Sequence, residues 1–289
     1  MKTVVAFLGV VALTVGAEWN ALKVTYGKNG KGYYDLPWSV EEATAQGKWL
    51  KIDEDKKLNV EVFSQPQDPR LMILFDKKGT VAGLRLAFLK NGIDKKAIDG
   101  GHTFDFDYDN NPMYEKGNYF GKELWYTTVL LAAPNTLVSG GRAKLNKNTD
   151  SVAENVYFRL QGKWMEVSRD ECKPNAEFEE ANCFAGMGKH YFKGHGVDCT
   201  RREPVWTLYD NGKLIGVGLA GFGSYVDNNL KTKTYYEQGS LPVQNILRSA
   251  PSCVEDYVNN YGLMSMHVFL TKDAAKITCP AEDWRLSHC

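Results

Sequence analysis

Two stretches of the chain share one order of apolar and polar positions. Leu71 to Phe88 reads LMILFDKKGTVAGLRLAF, and Val205 to Phe222 reads VWTLYDNGKLIGVGLAGF. Each has an apolar run, an aspartate, a turn that contains glycine and a second apolar run. This pattern predicts a β-hairpin in both places. Asn211-Gly212 is a strong two-residue turn signal because both positions tolerate a positive φ.

The two predicted hairpins are related by a nearly constant offset. Gly79 and Gly212 mark equivalent turns, 133 residues apart. Farther along, LWYTTVLLAAPNTLV from Leu124 matches LMSMHVFLTKDAAKIT from Leu263. A duplicated unit of β-hairpins explains both matches, and chance similarity between β-rich segments is the alternative.

Helical signals are few and short. Ser39 and Glu42 form a capping box ahead of a helix through about Gln46, which Gly47 is placed to end. The stretch ENVYFRLQGKWMEV alternates as strand, turn and strand. The sequence therefore predicts a β-rich α+β protein made of two diverged tandem repeats of β-hairpin units.

The first residues are predicted to be a secretory leader. Lys2 precedes the apolar run VVAFLGVVALTV, and Val15 and Ala17 suit cleavage before Glu18. We expect residues 1–17 to be a signal peptide, residues 18–148 the first repeat and residues 149–289 the second. The apolar run is too short for a bilayer core of about 30 Å, so we expect a secreted, extracellular protein without a membrane partner.

Six cysteines are predicted to form three disulfide bonds. An even number of cysteines in an exported chain is typical of a disulfide framework, and their spacing leaves every pairing open. A zinc site is the weaker alternative, because the chain has no Cys-x-x-Cys pair. All six lie in the second repeat, which they would staple: Cys172, Cys183, Cys199, Cys253, Cys279 and Cys289.

Charge and composition narrow the classes of partner. Acidic and basic residues both number 35, so the chain lacks the basic surplus that attracts nucleic acid or anionic membranes. Hydrophobic residues make up 43% of the chain, which is enough for a sizeable core. We therefore expect a small-molecule ligand or substrate, and no nucleic-acid partner.

The stretch GMGKHYFKGHGVDC, which begins at Gly186, contains two of the five histidines. His190 and His195 are five residues apart, which places them on opposite faces of a strand. His267 occupies the position that Thr128 has in the first repeat. A polar residue gained inside an apolar strand is a hint of a functional site.

These histidines are the candidate metal ligands. We predict that His190 meets His267, with His195 and Met266 as further ligands. Imidazole together with a thioether favours copper over zinc or calcium. The corresponding function is oxidation of a small molecule by O₂, as in a monooxygenase or a luciferase-like oxidase. The alternative is that these are ordinary core histidines whose hydrogen bonds are satisfied.

A calcium loop is a further candidate. Asp105, Asp107 and Asp109 follow the one-three-five spacing, but Asn110 and Lys116 replace the required glycine and glutamate. An alternating strand with its aspartates in water explains the same pattern. Gly-x-Ser-x-Gly, His-Glu-x-x-His and P-loop motifs are absent from the sequence, so no catalytic residue is assigned.

Five motifs together resemble a family of secreted proteins from marine invertebrates. They are EWNALKVTYG, FDKKGTVAG, MGKHYF, LYDNGKL and SMHVFL, spread over most of the mature chain. The resemblance implies secretion and one shared fold, and it implies no particular activity. The alternative to an oxidoreductase is therefore a non-enzymatic extracellular ligand-binding or matrix protein.

Overall fold

The fold is described from a computed structural model, which covers residues 19–26, 32–92, 104–194, 198–223, 235–239 and 250–279. Within these ranges the chain forms sixteen β-strands in two antiparallel sheets. The strands are β1 (Lys23–Val24), β2 (Tyr34–Asp35), β3 (Leu50–Asp55), β4 (Val60–Gln65), β5 (Asp68–Asp76), β6 (Val81–Leu89), β7 (Glu115–Tyr119), β8 (Lys122–Leu130), β9 (Tyr157–Leu160), β10 (Lys163–Glu166), β11 (Phe178–Phe184), β12 (Gly188–Lys193), β13 (Val205–Asp210), β14 (Lys213–Phe222), β15 (Glu237–Gly239) and β16 (Leu263–Phe269). The prediction of a β-rich α+β fold is confirmed.

The two sheets have the same strand order. The first sheet runs β10-β9-β8-β6-β5-β4-β3, with β7 also paired to β8. The second sheet runs β2-β1-β16-β14-β13-β12-β11, with β15 also paired to β16. The N-terminal strands β1 and β2 therefore belong to the second sheet, whereas β9 and β10, beyond residue 148, complete the first.

The pairing register matches as well as the order. Gly83 pairs with Leu130 in the first sheet, and Gly216 pairs with Phe269 at the equivalent place in the second. Both predicted hairpins are present, and in each the pairing register shifts at the equivalent point, with Ala82 of β6 and Ile215 of β14 as the extra residues. A duplicated unit would leave this correspondence, although the duplication itself remains a prediction.

The turns follow the residues that favour them. Asn211 and Gly212 close the second hairpin with φ values of 51° and 79°. Gln161 and Gly162, with φ values of 48° and 74°, join β9 to β10. The hairpin predicted for this stretch is therefore confirmed.

The described helices are short. Ser39 caps the first helix, Val40–Ala45, because its hydroxyl accepts the backbone N–H of Glu42 at 3.2 Å. Gly47 follows the end of that helix with a φ of 65°, as predicted. The other helices are Pro134–Val138 and Ser252–Tyr261, with 3₁₀ turns at Lys90–Gly92 and Ala274–Lys276. Among the described residues, no helix is long and apolar enough to cross a membrane.

One face of each sheet contributes to a shared core, in which Ile73 and Leu84 of the first sheet join Val217 and Leu219 of the second. On its other face, each sheet encloses a smaller apolar cluster. The first sheet curls enough for the Tyr119 hydroxyl of β7 to lie 3.0 Å from the Asp53 carboxylate of β3, with four strands between them. We call the face of each sheet that points away from the shared core its outer face.

Disulfide bonds join Cys183 to Cys279 and Cys199 to Cys253. Cys172 is disulfide-bonded as well. Cys289 and the predicted leader lie outside the described residues. The two described bonds confirm the predicted disulfide stabilisation of the C-terminal half.

Candidate functional site

The outer face of the second sheet receives alternate side chains from its strands. In β16, Met266 and Val268 are part of the shared core, so Ser265 and His267 point to the outer face. In β12 the same alternation places His190 on the outer face, where its ring contacts that of His267. The period of two in these strands thus places both predicted histidines on the same side of one sheet.

His190 and His267 lie side by side on this face. Their ring centroids are 5.9 Å apart and their planes are nearly perpendicular, at 79°. They stand on β12 and β16, with β13 and β14 between them. The curl of the sheet therefore brings the rings together, and they meet within one sheet rather than between the two sheets.

Glycine on β14 makes room for this contact. Gly218 pairs with Trp206 on one side and with His267 on the other. A Cβ atom at position 218 would overlap the indole of Trp206. The indole therefore lies directly over the backbone of β14, and its centroid is 5.1 Å from that of His267.

A carboxylate orients His267. Glu237 Oε2 lies 2.9 Å from Nδ1 of His267 and accepts the hydroxyl of Ser265 at 3.0 Å. Oε1 of the same carboxylate accepts the backbone N–H of Tyr26. Because a carboxylate only accepts, Nδ1 of His267 carries a hydrogen and Nε2 of the neutral ring keeps the lone pair. That lone pair can accept a proton or bind a metal ion.

His190 is buried and neutral. Its Nδ1 donates to the carbonyl oxygen of Gly188, at 3.0 Å. Burial, followed by the proximity of His267, lowers the pKa of His190 to about 3, and backbone hydrogen bonds to Gly188 and Asn182 oppose the shift. The His190 imidazole is therefore uncharged at neutral pH.

Two polar groups beside the histidines are buried and have no hydrogen-bond partner in the part of the chain that the structure describes. They are the indole N–H of Trp206 and the hydroxyl of Thr25. Trp206 is only 5% exposed, and the backbone N–H of Thr25 donates to the carbonyl of His267 at 3.0 Å. A buried polar group without a partner costs about 1–3 kcal/mol. A bound molecule that offered an acceptor to the indole would remove that cost.

The equivalent face of the first sheet is filled by an arginine. In the matching register, Arg85 stands where Gly218 stands in the second sheet, and Thr128 stands where His267 does. Arg85 is 1% exposed, forms an ion pair with Asp55 and donates through Nε to the Thr128 hydroxyl at 3.2 Å. Arg85 thus has its partners within its own sheet, whereas the indole N–H of Trp206 has none within the described ranges.

The other predicted ligands do not join the pair. Met266 is fully buried in the shared core, on the opposite side of β16 from His267. His195 lies outside the described residues. In the part of the chain that the structure describes, no group of three His, Cys, Asp or Glu side chains is arranged to hold a metal ion.

The aspartates of the candidate calcium loop have separate partners. Asp105 accepts the hydroxyl of Tyr257, and Asp109 accepts the indole N–H of Trp125. Asp107 accepts the side-chain amide of Asn110. The segment 104–107 forms no strand, so the alternative prediction of a strand there is wrong.

Three residues of this site were missed by sequence reasoning. Glu237 lies 30 residues from the histidine that it orients, and no motif marks it. Trp206 and Gly218 had a usable signal, because the alignment of the two hairpins sets them against Met72 and Arg85. In the second sheet, glycine replaces the buried arginine of the first sheet and a tryptophan lies beside it. This change indicates that the outer face of the second sheet has a different role from that of the first.

A scan against protein-family models found no match, and searches of curated proteins and of solved structures also found none. The resemblance to secreted invertebrate proteins therefore remains an expectation. Function is therefore inferred from the geometry of the site.

Proposed function

We propose that this chain is a secreted, disulfide-stabilised protein that binds a small organic molecule on the outer face of its second sheet. The observation that carries this proposal is the indole N–H of Trp206, which is buried and has no hydrogen-bond partner among the described residues. The leader predicted at residues 1–17 supports export. The disulfide bonds suit an oxidising compartment.

The surroundings of Trp206 favour a flat ligand that carries a hydrogen-bond acceptor. The rings of Phe192 and His267 have centroids 5.4 Å and 5.1 Å from the indole. Rings at these distances pack against one another, so the indole belongs to an aromatic cluster whose chemistry suits a conjugated ligand. The indole N–H only donates, so it requires a carbonyl, ether or phenolate oxygen on that ligand.

Coumarin and naphthalene test this chemistry, since both are flat two-ring molecules and only coumarin has a carbonyl acceptor. One hydrogen bond contributes about 1 kcal/mol, so we expect coumarin to bind roughly fivefold to tenfold more tightly. Binding is measured by fluorescence titration of the secreted protein. Equal affinity for both molecules, or no binding of either, would count against the proposal.

Two variants show whether the preference arises at Trp206. Trp206→Phe keeps an aromatic ring and removes the N–H, so we expect it to bind coumarin and naphthalene equally. Trp125→Phe is the matched control, because the Trp125 indole already donates to Asp109 at 2.8 Å. A preference for coumarin that survives in Trp206→Phe would place the ligand elsewhere.

A second candidate function is oxidation of the bound molecule by O₂ at copper, as in a monooxygenase or a luciferase-like oxidase. The observation that favours it is the 5.9 Å spacing of the His190 and His267 rings. Copper-loaded protein, freed of unbound copper, is tested with ascorbate in an oxygen electrode, where ascorbate and O₂ give dehydroascorbate and hydrogen peroxide. Oxygen uptake that is unchanged in His267→Gln would exclude this function for the pair.

A further inference from the structure

We propose that His190 and His267 together bind one monovalent copper ion in two-coordinate geometry. This metal site does not depend on the binding of an organic molecule at Trp206, whereas the second candidate function, oxidation at copper, rests on this metal site. Both ligands come from strands of the second sheet, so the site is built into the fold rather than assembled from loops.

The spacing of the two rings fits one shared ion. Imidazole nitrogens bind transition metals at about 2.0–2.1 Å, so two imidazoles on opposite sides of one ion have their centroids roughly 6 Å apart. The observed separation between the centroids of His190 and His267 is 5.9 Å. This separation leaves room for one ion between the two rings.

The second nitrogen of each ring is arranged as in metal sites. Histidines that bind metal usually donate their other N–H to a carboxylate or a backbone carbonyl, which fixes the tautomer and the ring orientation. Here Nδ1 of His267 is held by Glu237 and Nδ1 of His190 by the carbonyl of Gly188. His267 therefore keeps Nε2 as the nitrogen with a lone pair, and the ring of His190 has the carbonyl of Asn182 as a second backbone neighbour.

Monovalent copper suits these surroundings better than zinc or calcium. Zinc sites use three or four protein ligands and calcium takes six to eight oxygen atoms, whereas monovalent copper is stable with two nitrogen ligands. The rings of Phe184 and Phe192 flank His190, at centroid distances of 5.2 Å and 5.7 Å. His267 has 11% of its side chain exposed, so the pair is not fully closed to solvent.

The first sheet shows that the fold does not require these histidines. Its pairing register sets Val62 at the position of His190 and Thr128 at the position of His267. Valine and threonine hold the same places in β4 and β8. The two imidazoles are therefore a property of the second sheet alone.

The test is an anaerobic titration of metal-free secreted protein with tetrakis(acetonitrile)copper(I), in competition with bicinchoninate. We expect one ion per chain. Monovalent copper is diamagnetic, so NMR of the histidine rings in the wild-type protein should show shifts in two rings, assigned to His190 and His267. Because this measurement uses the unaltered chain, it holds even if a variant at buried His190 does not fold.

Variants distinguish the loss of a metal-binding nitrogen from the loss of side-chain packing around it. His267→Gln should lose the ion, whereas Phe192→Leu, which removes a neighbouring ring but no nitrogen, should keep it. Glu237→Gln should lower the affinity about 10- to 100-fold, as expected for a residue that positions a ligand, and Glu237→Asp should restore part of it. These effects on copper affinity should appear in variants that retain the wild-type fold by circular dichroism.

Copper binding and organic-ligand binding can fail independently. Trp206→Phe should still bind copper, and metal-free wild-type protein should still prefer coumarin over naphthalene. No ion bound per chain, unshifted rings of His190 and His267, or full affinity in folded His267→Gln would each overturn the copper site. None of these results would affect the coumarin measurement.

Discussion

Glu237 Oε2 lies 2.9 Å from Nδ1 of His267, so a carboxylate on the short strand β15 orients a histidine on the neighbouring strand β16. The same carboxylate accepts the hydroxyl of Ser265 and the backbone N–H of Tyr26. One side chain thus ties β15, β16 and the end of β1 together. Glu237 therefore stabilises the fold as well as orienting His267.

Glu237→Ala should destabilise the protein measurably. It leaves three donors without their acceptor, at a cost of roughly 2–4 kcal/mol for partly buried groups. Urea unfolding checks this, with Ser265→Ala as a smaller change that removes a single donor and should cost about 1 kcal/mol. If the two variants were equally stable, the carboxylate would not act as the common acceptor.

Gly218→Ala should be costly because of Trp206. A Cβ at position 218 would overlap the indole, and overpacking of this kind costs about 1–3 kcal/mol. Replacing Trp206 by leucine removes the overlap, so Gly218→Ala should cost much less in that background. The double-mutant cycle in urea measures the difference. Additive effects would show that the indole and position 218 do not compete for space.

His190 should make the protein sensitive to acid. Its pKa is about 3 in the folded protein, against an ordinary value of 6.5. As the pH falls from about 6.5 towards 3, the unfolded chain takes up a proton that the folded chain does not, so the free energy of unfolding decreases. Above pH 6.5 both states are neutral at this residue and its contribution is constant.

The check is the free energy of unfolding, measured with urea from pH 7 to pH 4. The slope of this free energy against pH reports the number of protons taken up on unfolding, and we expect that number to be smaller by about one in His190→Gln than in the wild type. The absolute stability of the variant does not enter this comparison. Equal slopes would mean that His190 is protonated in the folded protein.

The hairpins were predictable because strong local signals decide them. Asn211-Gly212 fixes a two-residue turn, and the apolar runs on either side of it pair as antiparallel strands. The same is true of the helix that Ser39 caps. In these places local propensity and tertiary packing favour one structure, so sequence reasoning succeeds.

The site was only partly predictable, because long-range pairing decides it. Sequence reasoning identified His190 and His267, but their distance depends on how far a sheet of several strands curls. The same reasoning included Met266, although a period of two places neighbouring residues of one strand on opposite faces. Glu237 enters through the pairing of β15 with β16, for which the chain has no local signal.

The disulfide Cys183–Cys279 should control access to Trp206. It fastens the chain after the 3₁₀ turn at Ala274–Lys276 to β11, and the carbonyl of Ile277 accepts the backbone N–H of Gly186 at 2.8 Å. Ile277 belongs to the same outer-face cluster as Trp206. Removal of this bond by paired serine substitutions should cost about 2–5 kcal/mol and free the segment that covers the cluster.

Acrylamide quenching measures that release, with the Trp206 signal taken as the difference between matched proteins with and without Trp206→Phe. We expect quenching of Trp206 to rise when Cys183 and Cys279 are replaced by serine. Removal of Cys199–Cys253 is the matched control, because Cys199 packs in the shared core and Cys253 packs against it. That change should also lower stability but leave Trp206 shielded in the folded protein, since the segment around Ile277 stays fastened. Equal quenching in both disulfide variants would show that the segment does not cover the site.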